Sequence, residues 1–571
     1  MCAAEPLIIL QIDFSKAFDS VDHETLWRVL ESYGIHGRML DALRASYAEV
    51  RMRVKVNGKL GPDSSVGRGV QQGCPLSVTL FGLYIEMLAH YISAHDTDCQ
   101  LRTPERWQAL VAQCATLGPR VVSDLLFVDD ATLLATGMDR VLCLLRLLEE
   151  FCAATGMRCN AAKCEVLIFG GTTRERSRLE DTEYVLAGTR LKVIKGRETA
   201  RYLGLHYGPG RAFSACTTEL LAAGRKATHA VHALCRSNKI GTPSMRMALY
   251  NSLVTPVMSY GAQVWGPDFI DVTFEAAMTN PMVEEQRAYM RNVVGARSPT
   301  MVCLYRELSQ RPLQYHWANL VLRFWNRLAK RPGTMCHSAF LADLALAVGG
   351  NQRCWAARVL RFLASFGALP PSDLAGEALA LHYSKLMLPV GAILKELARR
   401  LDERWADEGL GGDPRVVAEG VKACRYRAWM GLSHPAGSEP CLLKHAGCTM
   451  RLDWHQTLMR FRLGVWGLEV NRPNGRCREQ RTCRVCGDPH AVEDELHVFL
   501  ECPCYERLRD EFRQALGFGS RSMLEIMTGG APAAVAEYLH RLWGLRLEVL
   551  RRQERKRGAE GDRDEPRRAR H

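Results

Sequence analysis

Leu125-Leu126-Phe127-Val128-Asp129-Asp130-Ala131-Thr132-Leu133-Leu134-Ala135 is a pair of apolar runs meeting at two carboxylates. It reads as a β-hairpin that presents both charges at its tip. Like charges held together cost free energy unless something positive lies between them, and a hard divalent cation with oxygen ligands suits carboxylates best. Magnesium is the expected ion.

Upstream, the apolar strand Leu7–Ile12 ends at Asp13 within Gln11-Ile12-Asp13-Phe14-Ser15-Lys16-Ala17-Phe18-Asp19. A carboxylate delivered by the C-terminal end of such a strand is half of a metal site. The hairpin supplies the rest if the strands are neighbours. Two bound metals would activate a primer hydroxyl and stabilise a leaving pyrophosphate. Taken singly, Asp13 reads equally as a helix cap and Asp129-Asp130 as a solvated turn. A third stretch, Gly69-Val70-Gln71-Gln72-Gly73-Cys74-Pro75-Leu76-Ser77, opens a helix. Its glycines let the backbone approach a ligand, Pro75 suits a first helical turn, and the free N–H groups there favour phosphate.

The chain of 571 residues has room for about three or four domains, and its 47% apolar content suits packed cores rather than disorder. A formal net charge of +13 favours an acidic partner. The 21 cysteines include many scattered singly in apolar stretches, such as Cys143, Cys152 and Cys235, which is the pattern of buried thiols in a reducing compartment. Leu7–Ile12 is too short for a signal peptide, and no run reaches roughly 18 consecutive apolar residues, so no membrane partner is expected.

Short strands (Leu7–Ile12, Arg51–Val56, Leu125–Val128, Val166–Phe169, Leu191–Ile194) alternate with helical patterns (His23–Tyr33, Arg38–Glu49, Leu76–His90, Asp139–Thr155) over the first 206 residues. From about Ala212 to Arg472 the spacing is helical, broken by prolines. A Cys-rich patch follows at Cys477–Cys504, and the charged end Arg551–His571 reads as disordered. There are no internal repeats.

In order and spacing, Ala17-Phe18-Asp19, Gln72-Gly73-Cys74-Pro75-Leu76-Ser77 and Phe127-Val128-Asp129-Asp130 resemble motifs A, B and C of the reverse transcriptases of non-LTR retrotransposons, the long interspersed elements. Gly156-Met157-Arg158-Cys159-Asn160-Ala161-Ala162-Lys163-Cys164 is similar to motif D, and Tyr202-Leu203-Gly204 to motif E. Tyr260-Gly261-Ala262-Gln263-Val264-Trp265-Gly266 is similar to the thumb signature, so the likeness spans roughly residues 7–267. The resemblance implies an α+β fold: a right-hand polymerase palm with incomplete fingers, a helical thumb and connector, and a small zinc-binding C-terminal module. The expected boundaries are 1–206 for fingers and palm, 207–330 for the thumb, 331–475 for the connector, 476–520 for the zinc segment, 521–550 for a helix and 551–571 for a disordered basic tail.

It further implies an RNA-directed DNA polymerase acting with two Mg2+ ions, an RNA template, a DNA primer or target, and deoxynucleoside triphosphates. Target-primed synthesis places it in the nucleus. Asp13, Asp129 and Asp130 would be catalytic, with Asp13 and Asp129 as the magnesium ligands. Phe14, Phe18, Gln72, Gly73 and Lys163 would bind the nucleotide, with Phe18 as a steric gate against a ribose 2′-hydroxyl and Lys163 near the triphosphate; core packing is the competing reading of Phe18, and a surface position that of Lys163. Two positions depart from the family pattern: Val128 stands where Ala is usual, and Val78 where Pro is usual. The strand of motif A also begins six residues after Met1, so the fingers contacts that precede it in the family are expected to be missing.

Cys483-x2-Cys486-x10-His497-x4-Cys502 offers three thiolates and one imidazole, enough for a closed tetrahedral structural zinc site. Cys504 and His490 are rival ligands. With Glu493-Asp494-Glu495, Pro503 and Tyr505 around it, this patch resembles the zinc-binding C-terminal segment of the same retrotransposon proteins. Arg225, Lys226 and His229 are expected to face a template–primer duplex from the first thumb helix, and the arginines of the tail could track phosphates or signal nuclear import. The rival function is a catalytically inactive, element-derived nucleic-acid-binding remnant. A group II intron maturase or telomerase shares the carboxylates but fits Ala17-Phe18-Asp19 and the zinc signature less well.

Overall fold

The computed structural model describes residues 6–48, 50–95, 122–209, 213–270, 279–296, 299, 301–369, 373–407, 451–472, 477–529 and 531–561. The chain divides into two units. One comprises Met1–Thr218, Leu328–Ala356 and Asp373–Leu386; the other comprises Glu219–Arg327, Ala357–Ser372 and Met387–His571. The expected connector, 331–475, is therefore split between the units instead of forming a body of its own.

In the first unit, β1 (Leu7–Asp13) alternates in burial, with Ile8, Leu10 and Ile12 inside. That is the period of a strand with one face on a core. β2 (Asp124–Phe127) and β3 (Asp130–Thr136) form the expected hairpin, followed by β4 (Glu165–Phe169) and β5 (Lys192–Val193). The sheet order is β5-β4-β1-β3-β2. β1 lies at its centre, antiparallel to both β3 and β4.

α1 (His23–Ser32) follows β1 and is capped by Asp22, whose side chain accepts from the Thr25 backbone N–H. α2 (Arg38–Ala48), α3 (Pro75–His95) and α4 (Met138–Thr155) complete this layer. Leu80, Phe81, Tyr84, Ile85 and Leu88 of α3 share one core with Val141, Leu144, Leu148 and Phe151 of α4 and with the inward residues of β1. α3 is long and apolar enough to cross a membrane by length and composition, which a count of consecutive apolar residues missed. Its buried side chains go into the core of this unit.

The expected strand Arg51–Val56 is broken into Arg51–Met52 and Lys55–Val56, each in a two-stranded ribbon outside the main sheet. The cause is local: Asn57 and Gly58 both take positive φ (47° and 81°) and reverse the chain, as an Asn-Gly pair does in a tight hairpin.

α5 (Ser214–Ser237) is a helix where helical spacing was expected to begin. The second unit is helical and includes α6 (Pro281–Val294), α7 (Met301–Glu307), α8 (Leu452–Arg462), α9 (Glu506–Leu516), α10 (Met523–Thr528) and α11 (Pro532–Gly561). α11 runs past residue 550, where the sequence suggested disorder would begin. Arg, Gln, Glu and Lys are strong helix formers, and the Gln553 side chain donates to the Arg484 carbonyl at 3.0 Å. The remaining tail, with Arg567-Arg568, lies outside the described residues.

Candidate active site and metal centre

The register of β1 on β3 pairs Asp13 with Asp130, and that of β2 on β3 pairs Phe127 with Asp130. Val128 and Asp129 are thus the two-residue turn of the hairpin. All three predicted catalytic carboxylates come to one end of the sheet. Burial first, then the charges of Asp129 and Asp13, push the Asp130 carboxyl above its ordinary range. A carboxylate in that setting gains most from a nearby cation.

Motif A is held from two sides. The Gly69 N–H donates to Val21 O at 2.7 Å and the Val70 N–H to Phe18 O at 2.8 Å. Gly69 has φ 90°, and a Cβ built on it would lie 2.8 Å from Asp19 Cα. Only glycine permits this approach. The Gln72 side chain donates to Asp19 Oδ1 at 3.3 Å. On the other side the Asn160 N–H donates to Asp13 O at 2.7 Å and the Ser15 N–H to Arg158 O at 2.7 Å. The Asp13 N–H reaches Cys164 Sγ at 3.4 Å.

The predicted nucleotide residues divide. Gln72 and Gly73 lie on the loop before α3, with Gln72 exposed beside motif A. Phe18 is half-buried, stacked on Phe81 with ring centroids 4.7 Å apart. Phe14 does not face the cleft: it is 6% exposed, within the core, and its backbone bridges Cys159. Strand alternation explains this, because Phe14 continues the inward parity of Ile8, Leu10 and Ile12. Lys163 is exposed on the turn between Asn160 and Cys164, and no hydrogen bond or ion pair joins its side chain to the carboxylates. Arg225, expected to face a duplex, forms an ion pair with Glu285 at 3.3 Å, while Lys226 and His229 stay exposed.

In the second unit the sulfur and nitrogen atoms of Cys483, Cys486, His497 and Cys502 all lie within 4.8 Å of one another. Cys483 and Cys486 sit on a turn closed by Gly487 N–H to Cys483 O at 3.0 Å, and Cys502 N–H donates to His497 O at 2.7 Å. Hydrogen bonding from Cys502, opposed by burial and helped by His497, draws the Cys483 thiol well below its usual range. The rival ligands stand apart: His490 is exposed, and exposed Cys504 bonds to Val485 O. Behind the cluster, Glu493 is fully buried and ion-paired to Arg546 at 2.9 Å. Four soft and borderline donors with no open position suit a structural metal.

Residues 3–207 match the family described as reverse transcriptase (RNA-dependent DNA polymerase). This segment, which contains the five-stranded sheet, is thus similar to a reverse transcriptase domain. Among curated relatives, it is 31% identical over 164 residues to the transposon TX1 uncharacterized 149 kDa protein of Xenopus laevis, covering 29% of this chain and 12% of that one. It is 27% identical over 202 residues to the Pol polyprotein of the type-2 retrotransposable element R2DM of Drosophila melanogaster, covering 35% and 17%. The polyprotein of a type-1 element R2 of Popillia japonica is 25% identical over 202 residues, covering 35% and 30%. The chain thus spans less than a third of each of these relatives. A solved telomerase structure from Candida albicans has a TM-score of 0.17 at 12% identity, over 56% of this chain and 48% of that one.

One of the two departures from the family pattern, Val128, lies at the hairpin turn. Val128 has φ 56°, a conformation that costs an L-residue about 1–2 kcal/mol and is a genuine outlier for a β-branched one. Sequence reasoning missed two supports of the carboxylates, Cys164 behind Asp13 and Tyr202 of β6 (Ala200–Tyr202). The Tyr202 hydroxyl is raised by burial first, and is also affected by Thr132 and Asp130 of β3. Both lie inside motifs recognisable in the sequence. Their pairing with Asp13 and Asp130 is set by strand order.

Proposed function

We propose that the chain acts as the RNA-directed DNA polymerase of a non-LTR retrotransposon, extending a DNA primer on an RNA template with deoxynucleoside triphosphates in the nucleus. The single observation that carries this reading is the convergence of Asp13, Asp129 and Asp130 at one sheet end within a reverse transcriptase domain. The donor set fits magnesium: hard oxygens, mutually repelling, with Asp130 held above its ordinary range by burial first and then by Asp129 and Asp13. Asp13 and Asp129 are the proposed ligands. Two bound Mg2+ ions would lower the barrier to primer-hydroxyl attack and neutralise the leaving pyrophosphate.

The chain's own residues do the positioning. The loop from Gly69 to Pro75 lies against Phe18 and Asp19 and opens α3, whose positive dipole end favours phosphate. Phe18 rests on Phe81 with part of its ring uncovered, a flat wall suited to excluding a 2′-hydroxyl. Zinc is the proposed ion for Cys483, Cys486, His497 and Cys502, and its role there is structural.

Primer extension on an RNA template with magnesium and deoxynucleotides tests the reading. Asp129→Asn is expected to abolish it, and retained extension would sink the two-metal assignment. Phe18→Ala is expected to raise ribonucleotide incorporation. Metal analysis of the purified protein should find about one zinc per chain, lost in Cys483→Ser.

A further inference from the structure

The second unit contains a cavity of about 470 Å3 that neither the carboxylate site nor the Cys/His cluster uses. Its wall includes Gly295, Arg460, Gly464, Trp466, Asn471 and Trp543. The volume falls in the range of small-ligand sites. Two indoles contribute, Trp466 and Trp543, with ring centroids 4.7 Å apart and tilted by 48°. Trp466 is buried and fixed by its Nε1–H donating to Thr457 O at 3.2 Å, whereas Trp543 is only half-buried.

Gly295, which ends α6 with φ 65°, and Gly464, which follows α8 with φ 62°, also line the cavity, with the Arg460 and Gln456 side chains against Gly295 and Glu495 near Gly464. The exposed Arg460 donates through Nε to Gly295 O at 2.6 Å, which places a guanidinium at the wall. The Asn471 amide nitrogen donates to Trp466 O at 3.1 Å and to Glu495 Oε1 at 2.9 Å. Its carbonyl oxygen has no donor among the described residues.

We propose that this cavity holds an unpaired base of a single-stranded nucleic acid. Indole faces and a guanidinium are the groups on which unstacked bases rest. The chain's net charge of +13 favours a polyanion. The cavity is also rigidly backed. Arg546 lies over the Trp543 ring at 5.8 Å, donates to Gly467 O at 3.1 Å, and pairs with the buried Glu493 beside Cys483. The Cys/His cluster therefore braces the floor of the base site. The proposal goes beyond the polymerase reading and stands or falls without it.

Photocrosslinking tests it directly. The full chain, without magnesium or nucleotides, is irradiated with short single-stranded RNA or DNA bearing 5-iodouracil, and the adducts are mapped by mass spectrometry. Adducts at Trp466 or Trp543 are expected, and the strand that yields more of them identifies the preferred sugar. In parallel, anisotropy titrations should show Trp543→Ala weakening single-strand binding by about tenfold, the size of one lost stacking contact, while Trp543→Phe retains most of it. Replacing the bases with abasic residues should weaken the wild type more than Trp543→Ala. Adducts confined to other peptides, or a Trp543→Ala protein that binds like the wild type, would overturn the proposal. The crosslinking result holds even where the alanine variant folds poorly.

Discussion

Asp13 and Asp130 are direct cross-strand partners, set opposite each other by the register of β1 on β3. Like charges so placed repel, and the strain is visible in the Asp130 carboxyl, raised by burial and then by Asp129 and Asp13.

Relieving that repulsion should stabilise the fold while destroying its chemistry. In a chelator, Asp130→Asn is expected to raise the first thermal transition by about 2–4 °C, the equivalent of roughly 1 kcal/mol in a domain of this size. Magnesium should stabilise the wild type more than the variant. Scanning calorimetry with and without the ion decides, and an unchanged transition in chelator would remove the repulsion argument.

Gly69 and Gly73 share a left-handed conformation, at φ 90° and 89°, but not an environment. A Cβ at Gly69 would strike Asp19 Cα at 2.8 Å and the Asp19 and Phe18 carbonyl oxygens at 3.0 Å, while at Gly73 it would meet nothing within 4 Å. Gly73→Ala should therefore cost only the conformational strain, about 1–2 kcal/mol. Gly69→Ala should cost more and displace motif A. Urea midpoints of the two variants, with extension assays beside them, would separate strain from collision.

The Asp22 cap predicts a pH dependence with a definite sign. The Thr25 backbone N–H, then its hydroxyl, hold the Asp22 carboxyl below its unfolded value of 3.8. A depressed carboxyl stabilises the fold above the unfolded pKa and loses that contribution as pH falls through the folded one. Asp22→Ala should cost about 1 kcal/mol at neutral pH. The gap between variant and wild type should close in acid, below 3.8, and a gap that persists there would exclude the carboxylate as its source.

Arg462 and Glu307 form an ion pair that is 2% and 0% exposed, joined by bonds of 2.8–3.0 Å, and Arg462 also donates to Met527 O. Breaking a buried pair strands one charge, so Arg462→Met alone should cost about 3–5 kcal/mol. Adding Glu307→Leu should recover much of that loss. Denaturant unfolding of the two single variants and the double variant gives the coupling, and additive losses would refute it.

Much of the first unit was legible because its signals are local. The alternation in Leu7–Asp13 placed a half-buried strand, the apolar runs around Asp129-Asp130 gave a hairpin, and Gly69 to Ser77 marked a helix start; all three are present. The ribbon at Arg51–Val56 was misread because its basic and apolar alternation suits a strand whether or not a sheet accepts it. In the structure Met52, Val54 and Val56 stay exposed. The charge density after residue 550 suggests disorder, yet the helix reaches Gly561, because those residues favour helix and Gln553 ties them down.

The amino-acid sequence by itself determined which chemistry this protein carries, because carboxylates, thiols and glycines at set spacings have few other uses. Which of them act together was decided by tertiary structure. Strand register brought Asp13 to Asp130, side-chain parity sent Phe14 inward, the 3-10 turn at Phe18–Ser20 left Phe18 half outside, and the turn at Cys483–Gly487 selected His497 and Cys502 over His490 and Cys504. The physical reason is range. Propensity and pattern act over a few residues, whereas a site assembled from distant segments depends on strand order and core packing, which no single segment encodes.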